Sequence, residues 1–225
     1  MPTTLDLDPF LLSLRVAGLA TLLIVAAGVP LAVLLARGRF PGKGLLAGVV
    51  LLPLVLPPTV LGYVLLQVLG RGTPLGDWLE AAFGVRLVFN WAGAVIASGV
   101  AAFPMFLVPA RSAIEEVDPA LEDAARLLGR GEWSVFASVT LPLAWRGIVA
   151  GAVLAFARAL GDFGATLMVA SDIPGRTRTA SLAIYNAVLL GDNARAWTLT
   201  LLVAVVSMAA LLVAQRTASN TGARR

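Results

Sequence analysis

Arg158 and Asp162 stand four residues apart inside a long apolar run, and on a helix that spacing puts a guanidinium and a carboxylate on one face. Burying either charge alone in hydrocarbon costs on the order of 3 kcal/mol, so the two are expected to face each other or the interior of a bundle. Two chemistries fit the pair: an internal ion pair, or an arginine that lends positive potential to the passage of an anion. Acid–base catalysis fits poorly. The chain has no histidine and no cysteine, which removes the commonest general base, the thiol nucleophile, disulfides and thiolate metal sites. A membrane-embedded hydrolase working through Asp162 would also lack a second intramembrane carboxylate.

A second constellation lies upstream, where Asp123-Ala124-Ala125 is followed by three residues, Gly129, nine residues, Val139, one residue and Leu141-Pro142. Asp118-Pro119 reads as a helix start, with an Asp side chain to accept from free N–H groups and a proline where no donor is needed. Glu122 and Asp123 then fall in or just beyond the first turn, where the helix dipole favours negative charge. Gly129 is placed to end the helix in a left-handed conformation. A second short helix from Glu132 through Val139 sets Trp133 and Phe136 on one face, and Leu141-Pro142 breaks the pattern. The expected product is a helix-turn-helix projection with Ala124 and Ala125 at its tip, small enough for a partner to approach the backbone. A solvated loop is the plainer reading. A DNA-reading motif is disfavoured by Glu115, Glu116, Asp118, Glu122, Asp123 and Glu132, because phosphate binding needs net positive charge.

The elements that must position these residues are legible from apolar run lengths. With 59% hydrophobic residues, 13% charged and a mean hydropathy of +0.89 over 225 residues, the chain is too apolar for an ordinary water-soluble domain. One membrane domain, 1–225, is expected. Spanning runs lie at Phe10 to Ala36, Leu45 to Leu69, Trp91 to Ala110, Gly147 to Ala170 and Ala196 to Ala214. Thr179 to Leu190 is too short to cross. The predicted fold is an all-α integral membrane bundle of five full transmembrane helices plus a short re-entrant or interfacial helix, countable as a sixth, with the projection in the loop 111–146. Pro53, Pro57 and Pro58 perturb the second run, and the backbone groups they free must be satisfied by protein or a water-lined cavity. Gly147 and Gly151, and Gly161 and Gly164, allow close helix approach, at a dimer seam or within one subunit.

Basic residues set the orientation. Arg37, Arg39, Lys43, Arg111, Arg126, Arg130, Arg146, Arg216, Arg224 and Arg225 fall on one side, against Arg15, Arg71, Arg86, Arg176, Arg178 and Arg195 on the other. The excess places the N-terminus outside and the C-terminus and projection in the cytoplasm. Asp6 and Asp8 stand where a cleavable signal would carry Lys or Arg, so the first run is expected to remain as an anchor. Gly38-Arg39-Phe40-Pro41-Gly42-Lys43-Gly44 lacks the spacing and the Ser or Thr of a phosphate-binding loop. No nucleotide site is visible, and any ATP chemistry must come from another chain.

The spacing from Asp123 to Pro142 resembles the EAA-x3-G-x9-I-x-L-P signature of ABC-importer permease subunits, with Asp123 in place of the glutamate. Leu52-Pro53-Leu54-Val55-Leu56-Pro57-Pro58-Thr59-Val60-Leu61-Gly62-Tyr63 and Phe156-Ala157-Arg158-Ala159-Leu160-Gly161-Asp162-Phe163-Gly164-Ala165-Thr166 are similar to stretches of the molybdate permeases within that family. Ile173-Pro174-Gly175-Arg176-Thr177 and Ser181-Leu182-Ala183-Ile184-Tyr185 continue the similarity. What the resemblance implies is a plasma (inner) membrane importer built from two such permeases, two cytoplasmic ATPases that hold ATP and Mg, and an extracytoplasmic binding protein delivering molybdate or tungstate. Sulfate permeases are similar around Gly161 to Ala165, which leaves sulfate or thiosulfate as the alternative cargo.

The resemblance further implies that Glu122, Asp123, Ala124, Ala125, Gly129, Leu141 and Pro142 couple to the ATPase, and that Pro57, Pro58, Thr59, Arg158, Asp162 and Gly164 border the passage or its gate. No catalytic residue, metal or cofactor is expected in this chain, and no nucleic-acid partner. A membrane scaffold that transports nothing is the remaining rival.

Overall fold

The computed structural model describes residues 7–219; the expectations resting on Asp6 and on Arg224 and Arg225 lie outside the described residues. In chain order the helices are α1 (Asp8–Arg37), α2 (Lys43–Val55), α3 (Pro58–Leu69), α4 (Pro74–Phe83), α5 (Trp91–Glu115), α6 (Pro119–Leu127) and α7 (Glu132–Val135). A π-helical turn, Phe136–Thr140, leads into α8 (Leu141–Leu160), and α9 (Gly164–Ala170), α10 (Ala180–Leu189) and α11 (Asn193–Ser219) follow. No strand occurs among the described residues. Four helical stretches are long and apolar enough to cross a membrane, and α2 with α3 makes a fifth span if that bent pair is counted as one.

The second apolar run is therefore not a straight helix. Its halves meet at a 120° bend, and the prolines explain where. Pro53 is carried inside α2, but Leu56 (ψ 137°) and Pro57 (ψ 136°) are extended, because each precedes a proline whose ring disfavours the helical conformation behind it. Pro58 then opens α3, where a missing N–H is harmless.

The fourth run is displaced from its expected position of Gly147 to Ala170. One continuous helix runs Glu132–Leu160, about 43 Å at the α-helical rise, and the chain breaks at Gly161 before the short α9. Leu141-Pro142 does not interrupt it. The Leu141 N–H reaches back five residues to Phe136 O, and this widened turn takes up the proline without ending the helix.

α5 is the centre of the bundle, packed on α1 and α8; α1 runs parallel to it, with Arg15 at Trp91 and Gly28 at Phe106, and α8 antiparallel, with Gly147 at Ala113 and Gly151 at Phe106. Small residues bring the backbones close, as is usual where lipid removes the hydrophobic incentive for large contacts. Ala17, Ala20, Ala94, Ala102, Ala110 and Ala155 are buried in this seam. A side chain on Gly28 would collide with the Phe106 ring at 2.5 Å, and one on Gly151 would lie 2.8 Å from Phe106 O. Gly147 likewise abuts Ala113. The Gly147–Gly151 pair thus packs α8 on α5 within one chain, the second of the two uses expected of it.

α10 occupies the short segment expected not to cross. α4 was not foreseen as a helix: Thr73 Oγ1 accepts from the Gly76 N–H at 3.0 Å, Pro74 opens the first turn, and Gly84 ends it at φ +64°. Its Trp78 is exposed.

Candidate functional site

α6 begins where Asp118 Oδ1 accepts from the Ala120 N–H at 2.9 Å, and it ends in a Schellman turn. The Gly129 N–H bonds Arg126 O at 2.9 Å and the Arg130 N–H bonds Ala125 O at 3.2 Å, with Gly129 at φ +80°. Arg126 clamps this turn. Its guanidinium donates twice to Glu132, at 2.8 and 3.1 Å, and once to Asp123, at 2.7 Å. The hydrogen bonds to Glu132 and Asp123 raise the Arg126 pKa above its ordinary value.

The two adjacent carboxylates have different surroundings. Asp123 is exposed and meets Arg126, whereas Glu122 is only 4% exposed. Glu122 Oε1 accepts from Arg37 Nη2 at 3.1 Å and from Thr140 Oγ1 at 2.8 Å. Arg37 also donates to Val117 O at 2.7 Å. Glu122 therefore joins three segments distant in sequence: the end of α1, α6, and the π turn that continues into α8. A bound carboxylate with two charge-assisted or hydroxyl donors is a strong local tie.

Ala124 is exposed but Ala125 is buried, so the two do not present a shared tip. The surface around Gly129 is instead apolar: Leu127, Leu128 and Trp133 are about four-fifths or more exposed, at 89%, 83% and 79%. Trp133 stacks obliquely on Phe136 at 5.6 Å. Leu141 and Pro142 lie within the long helix, past this surface.

At the other end of the long helix, Asp162 is buried and fully engaged. Arg158 Nη1 donates to Oδ1 at 3.1 Å, and the Thr166 N–H and Oγ1 donate to Oδ2 at 3.0 and 2.9 Å. The carboxylate so ties the end of α8 to the start of α9. Arg158 remains partly exposed along a cavity of about 500 Å³ that Pro58, Thr59, Gly161, Asp162 and Gly164 also line. Pro57 is exposed beside it. Gly164 holds the break between α8 and α9 against the break between α2 and α3. A side chain there would stand 2.8 Å from Pro58 Cβ and 3.2 Å from the Thr59 backbone nitrogen. Gly164 is thus packed within its own chain.

Comparison with known proteins gives the family. The family described as binding-protein-dependent transport system inner membrane component matches residues 28–220. The chain belongs to that family.

Among this permease's relatives, the molybdenum transport system permease protein ModB of Escherichia coli K12 is 47% identical over 206 residues, covering 91% of this chain and 90% of that protein. ModB of Haemophilus influenzae is 42% identical over 94% of the chain and 93% of its own length. The putative molybdenum permease YvgM of Bacillus subtilis is 39% identical over 92% of each. The fold is also that of a solved bacterial ABC transporter for alginate import, with a TM-score of 0.73, 18% identity, and coverage of 97% of this chain and 80% of that one.

Sequence reasoning on the permease missed Arg37 and Thr140 as partners of Glu122. Arg37 was read as a topology-setting charge. Its position in the last turn of an apolar helix, 85 residues from Glu122, carries no local signal of a pairing.

Proposed function

We propose that this permease forms the membrane passage of an ABC importer for an oxyanion, molybdate or tungstate. It acts as a homodimer with two cytoplasmic ATPases, which hold the ATP and Mg, and an extracytoplasmic binding protein. The single observation that carries the cargo is the likeness to molybdenum permeases over some nine-tenths of the chain. The partly exposed Arg158 guanidinium along the cavity is the chemistry an anion would meet.

The orientation follows the basic residues. Arg37, Arg111 and Arg126 gather at the α6 end, and Arg15 and Arg178 at the opposite end. With the α6 end in the cytoplasm the N-terminus lies outside.

Leu127, Leu128 and Trp133 around the rigid Gly129 turn form the apolar contact for an ATPase, since an exposed patch of that kind marks a docking surface. Nucleotide-driven closure of the ATPases displaces α6. Glu122 passes the displacement to α1 through Arg37 and to the long helix through Thr140, and the helix carries it to Arg158 and Asp162. The cavity then opens alternately to either side, as a population shift between two packings.

Reconstitution with the ATPase and binding protein, followed by uptake of molybdate in competition with tungstate and sulfate, tests the reading. ATP-dependent molybdate uptake suppressed by tungstate and spared by equal sulfate is expected. Sulfate uptake without molybdate uptake would overturn it.

A further inference from the structure

At the end of the bundle opposite α6, a cavity of about 510 Å³ is walled by the first turns of α1 and by the loop between α9 and α10. Arg15, Arg176 and Arg178 line it, together with the carboxylate of Asp8 among the described residues. The three guanidinium groups come from segments some 160 residues apart along the chain, so the fold, not a local run of basic residues, assembles them.

Each arginine is presented in a way that leaves donors for an anion. The Arg15 guanidinium lies over the Trp91 ring at 4.6 Å, and a stacked guanidinium keeps its in-plane N–H groups for oxygen acceptors. Arg178 donates Nε and Nη2 to Asp172 at 2.6 and 3.0 Å, which fixes its plane and leaves Nη1 over. Arg176 is exposed, one residue beyond Gly175, whose φ of +71° turns the loop. The loop itself is held by Thr177, whose Oγ1 donates to Ser171 O at 2.9 Å and accepts from the Ile173 N–H at 3.1 Å.

The remaining wall is apolar, formed by Pro9, Leu11, Leu12 and Pro174. An Arg–Trp stack near the end of a spanning helix is the composition of the membrane–water interface. Three guanidinium groups interleaved with apolar side chains in one wall match an amphipathic anion, a lipid whose phosphate lies among the guanidinium groups.

We propose that this cavity binds the headgroup phosphate of an anionic phospholipid in the leaflet opposite the α6 end. Neither the cargo passage nor the coupling surface includes these residues, so the site is independent of the transport reading.

The test titrates the intact permease–ATPase complex in detergent with phosphatidylglycerol and follows retained lipid by native mass spectrometry. Parallel arms use phosphatidylcholine, inorganic phosphate and glycerol phosphate. Phosphatidylglycerol should be retained over phosphatidylcholine, and Arg15→Gln and Arg176→Gln should each weaken it about fivefold, the effect of roughly one basic residue at a lipid surface. Because Arg15 also packs on Trp91, Arg176→Gln serves as the variant on an exposed loop that leaves the fold undisturbed. Equal retention by Arg176→Gln and by the unaltered protein would overturn the proposal. So would displacement of the lipid by millimolar inorganic phosphate or glycerol phosphate, which would assign the cavity to a soluble anion.

Discussion

Thr140 Oγ1 donates to Glu122 Oε1 across 2.8 Å, and this contact fastens α6 to the helix that ends beside Arg158. Thr140→Val keeps the shape and removes the donor, at a cost of about 1 kcal/mol in stability. Glu122→Ala leaves Arg37 without its carboxylate and is expected to cost about 3 kcal/mol. In proteoliposomes Thr140→Val should retain basal ATPase and lose most cargo-stimulated ATPase. Full stimulation in that variant would show that the contact carries no displacement.

Gly129 combines a φ of +80° with open space, since among the described residues, its own chain neighbours aside, no atom lies within 4 Å of an added Cβ. Gly129→Ala should therefore cost only about 1 kcal/mol, the strain of a left-handed non-glycine residue, and keep partial coupling. Gly129→Arg adds bulk where an ATPase would sit. Membrane insertion should persist while uptake and stimulated ATPase disappear, as read from membrane-fraction yield and ATPase assays.

Two glycines three residues apart give a matched pair of outcomes. Gly164→Ala drives a methyl against the Pro58 ring, 2.8 Å from its Cβ, and should destabilise by about 1–3 kcal/mol, because two helix breaks cannot both yield. Gly161→Ala has its nearest neighbour, Ala157 O, at 3.7 Å and should be tolerated. Thermal unfolding of the two variants in detergent measures the difference.

The bundle, its short α10 and the turn at Gly129 were legible from apolar run lengths, from Asp118-Pro119 and from a glycine at a helix end, all of which are local signals. What the residues did not disclose depends on contacts far apart in the chain. Pro57-Pro58 announced a perturbed helix, but the 120° bend depends on α3 folding back onto α9 through Gly62 and Gly164. Leu141-Pro142 suggested a stop because proline removes a donor, and only the π turn shows how the helix passes through it. For the candidate site, the pairing of Arg158 with Asp162 followed from their spacing. The separate fates of Glu122 and Asp123 did not, because adjacent residues point about 100° apart on a helix and the buried side was set by Arg37 and Thr140.

Arg158 and Asp162 are expected to separate in a charge-removal experiment. Asp162→Ala strips Thr166 of its acceptor and leaves Arg158 uncompensated, so expression and thermal stability should both fall, by about 3 kcal/mol. Arg158→Gln leaves Asp162 its two bonds from Thr166 and should fold. Its uptake of molybdate should drop at least tenfold while basal ATPase stays near normal. Undiminished uptake would remove Arg158 from the passage.

The central claim is that displacement at the Gly129 turn reaches the cavity through one rigid helix. The chain has no cysteine, so spin labels at Leu128→Cys and, separately, Gly161→Cys report single positions, and their distances between the two copies can be read with and without trapped nucleotide. Both distances should change on trapping, and Thr140→Val should abolish the change at 161 while preserving that at 128. A shift at 128 with an unchanged distance at 161 in the unaltered permease would contradict the account.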